Sequence, residues 1–258
     1  DGDITEYNKP LPKWWLNLFY LTIVFSVVYL VLYPGLGAFA GTRKWTSADQ
    51  LRADIEAHNA RLAPVFARFA SLPIDQLAQD PEALALGRSV FANNCATCHG
   101  SDARGARGYP NLTDGDWLWG GDADAIVATI TKGRSAVMPA LGGALGADGV
   151  AATAAFVQSL AGVAADPGLV RAGEIHFKTL CVACHGPDGK GNPLLGAPNL
   201  TDGTWLYGED FASISASIAN GRNGQMPAQE PIIGIDRARL AAAWVYSLRG
   251  TGQAAEGA

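Results

Sequence analysis

Two stretches of this chain carry residue types and spacings that can do chemistry: Cys95-Ala96-Thr97-Cys98-His99 and Cys181-Val182-Ala183-Cys184-His185. Cysteines three positions apart on a helix lie one turn from each other, so both thiols can form thioethers to one porphyrin. The histidine that follows then falls beneath the iron as its proximal ligand, and C-x-x-C-H is the attachment pattern of c-type haem. The chain has two methionines, Met138 and Met226, and proline follows each; they lie 39 and 41 residues after the box histidines. A thioether sulfur is the expected sixth ligand of a low-spin electron-transfer haem and raises its potential relative to a second histidine. The order along the chain pairs His99 with Met138 and His185 with Met226. Packing is the ordinary role of a methionine, but both methionines of the chain follow a box in the same way.

Elements that could hold such centres occur in duplicate. Asp80-Pro81 matches Asp166-Pro167, and Gly87 and Phe91 match Gly173 and Phe177, all offset by 86. Beyond the boxes the offset is 88: Pro110-Asn111-Leu112-Thr113-Asp114-Gly115 pairs with Pro198-Asn199-Leu200-Thr201-Asp202-Gly203, Trp117 with Trp205, and Arg134 with Arg222. The expectation is two tandem haem domains, 80–165 and 166–258, each all-helical. Asp80 and Asp166 are N-caps with proline in the first turn, and the helix they start runs into the haem box. Short helices are expected near 122–132 and 209–220, then a methionine loop, then closing helices near 148–161 and 236–249. Gly87 and Gly173 would let the first helix approach the last, with Phe91 and Phe177 at the crossing. His58 and His176 are read as packing or surface residues, not ligands.

Upstream, residues 14–33 form an uncharged apolar run, Trp14 through Tyr33, within an N-terminal segment at 1–41. Twenty helical residues span roughly 30 Å, the thickness of a bilayer core, and Trp14, Trp15, Tyr29 and Tyr33 suit its two interfaces. A transmembrane anchor ending at Pro34-Gly35 is expected. Lys9 and Lys13 balance Arg43 and Lys44, so charge leaves the orientation open. Haem attachment of this kind takes place outside the cytoplasm, which puts the haem domains in the periplasm and the N-terminus inside. The sequence starts at Asp1, so a signal peptide is neither seen nor excluded. Residues 42–79 read as a helical linker. Ser47-Ala48-Asp49-Gln50 has capping-box spacing, and Leu51, Ile55, Leu62, Val65, Phe66 and Phe69 form a stripe that needs a partner surface. Pro64 should kink or break that helix.

Composition narrows the function. All four cysteines are taken by the boxes, so no structural disulfide is left to assign. The net charge of -5 comes from the haem repeats: residues 1–79 hold seven acidic and seven basic side chains, 80–165 eight and five, and 166–258 nine and seven. An acidic surface argues against nucleic acid and suits steering of a basic protein partner.

The repeat resembles a class I cytochrome c in its C-x-x-C-H box, Pro-Asn-Leu segment, Met-Pro pair and crossing terminal helices. That resemblance implies that the Pro110 and Pro198 carbonyls hold His99 and His185 in orientation. It also implies that Arg134 and Arg222 meet haem propionates and that Trp117 and Trp205 line the haem edge. A narrower resemblance covers the whole chain. The run Glu6-Tyr7-Asn8-Lys9-Pro10-Leu11-Pro12-Lys13-Trp14-Trp15, the anchor and Tyr33-Pro34-Gly35-Leu36-Gly37 are similar to the dihaem subunit III of cbb3-type cytochrome c oxidases (CcoP or FixP). It implies two covalently bound haem c groups in a protein of the bacterial inner membrane that is no enzyme by itself. Electrons would pass from a donor cytochrome c toward the monohaem and haem–copper catalytic subunits, where oxygen is reduced and protons are pumped. Some members of that family carry a further membrane helix upstream, so the number of anchors is open. The alternatives are a stand-alone membrane-anchored dihaem carrier, a dihaem peroxidase with one open axial position, and a four-thiolate zinc site at Cys95, Cys98, Cys181 and Cys184.

Overall fold

A computed structural model describes residues 2, 7 and 9–251. Glu6 and Asn8 of the N-terminal run lie outside the described residues, as do residues 252–258. In chain order the elements are α1 (Lys13–Leu32), α2 (Ser47–Ala70), α3 (Ile74–Leu77), α4 (Pro81–Asn94), α5 (Ala96–His99), α6 (Ala123–Lys132), β1 (Arg134–Met138), α7 (Gly142–Leu160), α8 (Pro167–Leu180), α9 (Val182–His185), α10 (Phe211–Asn220), β2 (Arg222–Met226), α11 (Glu230–Ile233) and α12 (Ile235–Ser247). The chain divides into two compact units, residues 1–65 and 66–258.

The first unit holds α1, which buries none of its residues and is long and apolar enough to cross a bilayer. Tyr33 turns extended at ψ 158°, as a residue before proline must. The chain then folds back, and Thr42 and Arg43 donate their N–H groups to the Val31 and Leu32 carbonyls (2.9 and 3.0 Å) that the helix end leaves open. Arg43 lies over the Tyr33 ring, against which Trp45 packs edge-on. The cap of α2 is Thr46, one residue before the expected position: its Oγ1 accepts the Asp49 N–H at 3.0 Å and donates to the Asp49 carboxylate. Helix α2 continues through Pro64, where a kink or a break was expected, so the proline does not end it.

In the second unit the expected helix crossings are present with their partners exchanged. The first helix of repeat one, α4, packs on α12, the last helix of repeat two; α8 packs on α7. Gly87 is the point of contact on α4, where a Cβ would run into the Leu240 carbonyl, and Gly173 meets the Ala152 carbonyl in the same way. Phe91 lies 4.4 Å from Trp244, and Phe177 lies 5.2 Å from Phe156. Residues 80–165 and 166–258, expected to be separate domains, therefore each contribute to two bodies. One core joins Phe69, Ile74, Leu77, Phe91, Ile126, Ile130, Leu240 and Val245; the other joins Val150, Val157, Phe177, Ile214 and Ile218. The end of the linker belongs to the first core through Phe66, Phe69 and Leu72, and Arg239 of α12 donates to the Leu72 carbonyl.

The exchange occurs at the expected methionine loops, which the structure forms as two strands. β1 and β2 pair antiparallel, with Arg134 opposite Met226 and Met138 opposite Arg222. Neither repeat pairs a strand with itself, so no hairpin signal exists within either one. A local reason favours the exchange: only residues 161–166 separate α7 from α8. So short a connection makes an antiparallel helix hairpin the nearest packing available to α7.

Candidate haem sites

Each box is built by the end of a helix. Cys95 caps α4, and the single turn α5 carries Cys98 and His99, whose N–H groups both donate to the Cys95 carbonyl (3.1 and 3.0 Å). Cys181, Cys184 and His185 repeat this at the end of α8 (3.1 and 2.9 Å). All four thiols are free; Cys98 and Cys184 are exposed, and Cys181 is buried.

Each histidine ring is held from behind. His99 Nδ1 lies 3.1 Å from the Pro110 carbonyl oxygen, and His185 Nδ1 lies 3.1 Å from that of Pro198. A carbonyl only accepts, so Nδ1 carries the proton and donates it, which leaves the Nε2 lone pair for a metal. The proline is in turn set by its own segment. Asn111 Oδ1 accepts from the Thr113 N–H and hydroxyl (2.9 and 2.8 Å), and Asn199 does the same for Thr201 (3.0 and 2.8 Å). Burial pushes both imidazoles below their ordinary pKa, against the pull of the proline bond. Both rings are therefore neutral at pH 7, the form that ligates.

The two methionines are placed opposite to their order in the sequence. Met226 packs against the core containing Phe91 and Cys95, whereas Met138 packs against the core containing Phe177 and Cys181. The structure thus brings together Cys95, Cys98, His99, Pro110, Trp117, Arg134 and Met226, and separately Cys181, Cys184, His185, Pro198, Trp205, Arg222 and Met138. Both sets line a cavity of about 660 Å³ whose walls are mostly apolar side chains. Trp117 packs against the first core and Trp205 against the second. Sequence order paired His99 with Met138, but packing puts Met226, not Met138, against the core that holds Cys95, because β1 begins in one body and ends in the other. The four cysteines do not converge: among the described residues no three His, Cys, Asp or Glu side chains gather as a metal site.

The donor set fits a covalently attached haem. Paired thiols, a neutral imidazole with Nε2 free, a thioether and an apolar cavity occur together, twice. Sequence reasoning passed over Trp119 and Tyr207, over which the Arg134 and Arg222 guanidinium groups lie at 5.0 and 4.3 Å. Both are aromatic residues at equivalent positions 88 apart, a signal that was available. They also interlock the repeats: Trp119 packs on Gly196, and Tyr207 packs on Gly108. Gly108 donates its N–H to the Leu206 carbonyl at 2.8 Å.

Asp116 also lines the cavity. Burial, with repulsion from Asp202 and Asp114, pushes its carboxyl up to about 6. The raised value means that folding favours the protonated form. The stabilisation is complete below the ordinary value near 3.8 and is lost as pH rises through about 6. Asp116→Asn should therefore raise the thermal unfolding midpoint at pH 7.5 and leave it nearly unchanged at pH 4; an equal shift at both would contradict this.

Comparison with known proteins follows the same outline. A family model described as cytochrome c oxidase, cbb3-type, subunit III matches residues 82–157 and 168–246, and one described as the N-terminal domain of cytochrome oxidase-cbb3, FixP, matches residues 1–40. The chain is 47% identical over 252 residues to the cbb3-type cytochrome c oxidase subunit CcoP of Rubrivivax gelatinosus, covering 97% of this chain and 83% of the relative. It is 41% identical to subunit FixP of Bradyrhizobium diazoefficiens and 37% identical to CcoP of Cereibacter sphaeroides, each covering 97% of this chain and 92% of the relative.

Proposed function

We propose a two-centre electron relay for this chain, which belongs to the family of subunit III of cbb3-type cytochrome c oxidases. Its one-electron chemistry comes from haem c, when bound, cycling between ferrous and ferric iron. Cys95 and Cys98 would anchor one group, with His99 and Met226 as axial ligands. Cys181 and Cys184 would anchor the other, with His185 and Met138. The observation that carries this reading is the duplicated arrangement of a proline-locked imidazole and a methionine supplied by the other repeat, on the wall of one apolar cavity.

The protein's share of the work is ligation, orientation and exclusion of water. The proline carbonyls keep each Nε2 aimed at the metal position. Met226 and Met138 would supply thioether sulfurs to the iron of a bound haem, leaving it no open position for substrate chemistry. Trp117 and Trp205 supply apolar wall. Arg134 and Arg222 bring positive charge to the cavity, where haem carboxylates would find it. The α1 helix anchors the chain in the inner membrane with the haem bodies on the periplasmic side. Electrons would enter from a donor cytochrome c and leave toward the monohaem and haem–copper subunits.

The alternative of a free-standing carrier shares every haem residue and differs in the company the chain keeps. Affinity purification of this chain in mild detergent should bring haem b and copper with haem c, together with oxygen uptake. Haem c alone, two per chain, would replace the oxidase-subunit reading with the carrier.

A further inference from the structure

We infer that Arg134 and Arg222 are positioning residues for the axial methionines across the repeat boundary, Arg134 acting on Met226 and Arg222 on Met138. The inference rests on the exchanged ligation proposed above and deepens it. Each arginine is fixed twice in the same way. Arg134 Nε donates to Thr129 Oγ1 at 2.9 Å and its guanidinium covers Trp119, while Arg222 Nε donates to Ser217 Oγ at 3.0 Å and its guanidinium covers Tyr207. Thr129 and Ser217 belong to α6 and α10, so each arginine is tied to the helix behind its own body.

The strand ladder passes that position on. Residues directly opposite in an antiparallel pair share a face, with Cβ atoms about 4.5–5.5 Å apart. Arg134 is opposite Met226, and Arg222 is opposite Met138. Both strands alternate partly buried and exposed residues with the arginine and the methionine on the buried side, and all four line the cavity. Gly133 and Gly221, at φ 70°, complete the clamp: a Cβ there would run into the carbonyl of Met226 or of Met138. Fraying at either end of this short pair would turn that end's thioether away from the cavity. Proline follows each methionine and donates no hydrogen bond, so the position of each thioether depends on the arginine opposite it at its own end of the pair.

The experiment uses the full-length holoprotein and reads the sulfur-to-iron charge-transfer absorption of the oxidised form. In a Met138→Ala background that absorption comes from Met226 alone. Arg134→Gln there should abolish most of it, and Thr129→Val, which keeps the guanidinium charge, should weaken it at least twofold. Arg222→Gln should leave it intact, and the pattern should invert in a Met226→Ala background. The inference is overturned if Arg134→Gln leaves the band unchanged, or if Arg222→Gln removes it equally. It is also overturned if Thr129→Val has no effect, because the arginine would then act through charge. The exchange itself is read separately. Cys181→Ala leaves one thioether on the second haem and so labels its visible spectrum, and Met138→Ala should perturb that labelled haem. Failure there overturns the exchange; success there with an unaffected band in Arg134→Gln overturns only the clamp.

Discussion

Met226→Ala is expected to strip the sixth ligand from the haem on His99, although 127 residues separate the two in sequence. The haem should remain attached, since Cys95, Cys98 and His99 are untouched. Its potential should fall by on the order of 0.1–0.3 V, a fraction of the roughly 0.8 V over which axial ligands tune haem iron. The vacated position should also bind carbon monoxide in the reduced protein. Met138→Ala should do the same to the haem on His185. The label at Cys181 decides between this and the order of the sequence: a perturbed label in Met226→Ala would restore pairing within each repeat. The physical ground is the location of each sulfur, Met226 against the core of Phe91 and Cys95 and Met138 against that of Phe177 and Cys181.

Gly173→Ala should be the most damaging single-methyl change in the second body. In a helix interior, alanine for glycine normally gains about 1 kcal/mol. Here the new Cβ would enter the space of the Ala152 carbonyl and crowd the Phe156 Cβ. Backbone cannot rotate aside as a side chain does, so α7 and α8 must move apart. Overpacking of this kind costs about 1–3 kcal/mol and at times more, which outweighs the propensity gain. Because α7 follows the strand that carries Met138, the damage should extend to the haem on His185. Chemical denaturation combined with the charge-transfer band would show both effects; unchanged stability would mean that the helices do not cross at Gly173.

Much of the site was legible beforehand because it is local. Cys95 to His99 lie within one turn, and the Pro-Asn-Leu-Thr segment is tied by Asn111 to Thr113, two positions away. Covalent spacing settles such features, and duplication at offsets of 86 and 88 repeats them. The anchor was equally readable, since a bilayer asks only for length and apolarity. The cap of α2 was misplaced by one residue because Thr46 and Ser47 are both good caps and only geometry chooses between them.

What the sequence determined by itself was therefore the parts: two boxes, two methionines, an anchor and the glycines at which helices meet. The tertiary structure alone decided which part serves which body. Gly87 and Gly173 announce that something comes close, yet α7 and α12 present nearly equivalent surfaces, so either could have been the visitor. The short 161–166 connection folds α8 back on α7. Once α7 is taken, α12 is left for α4, and β1 and β2 must cross to follow their helices, carrying each methionine into the body that holds the other repeat's cysteine box. That choice is made by chain connectivity and packing between distant segments, which residue type and spacing within one repeat do not encode.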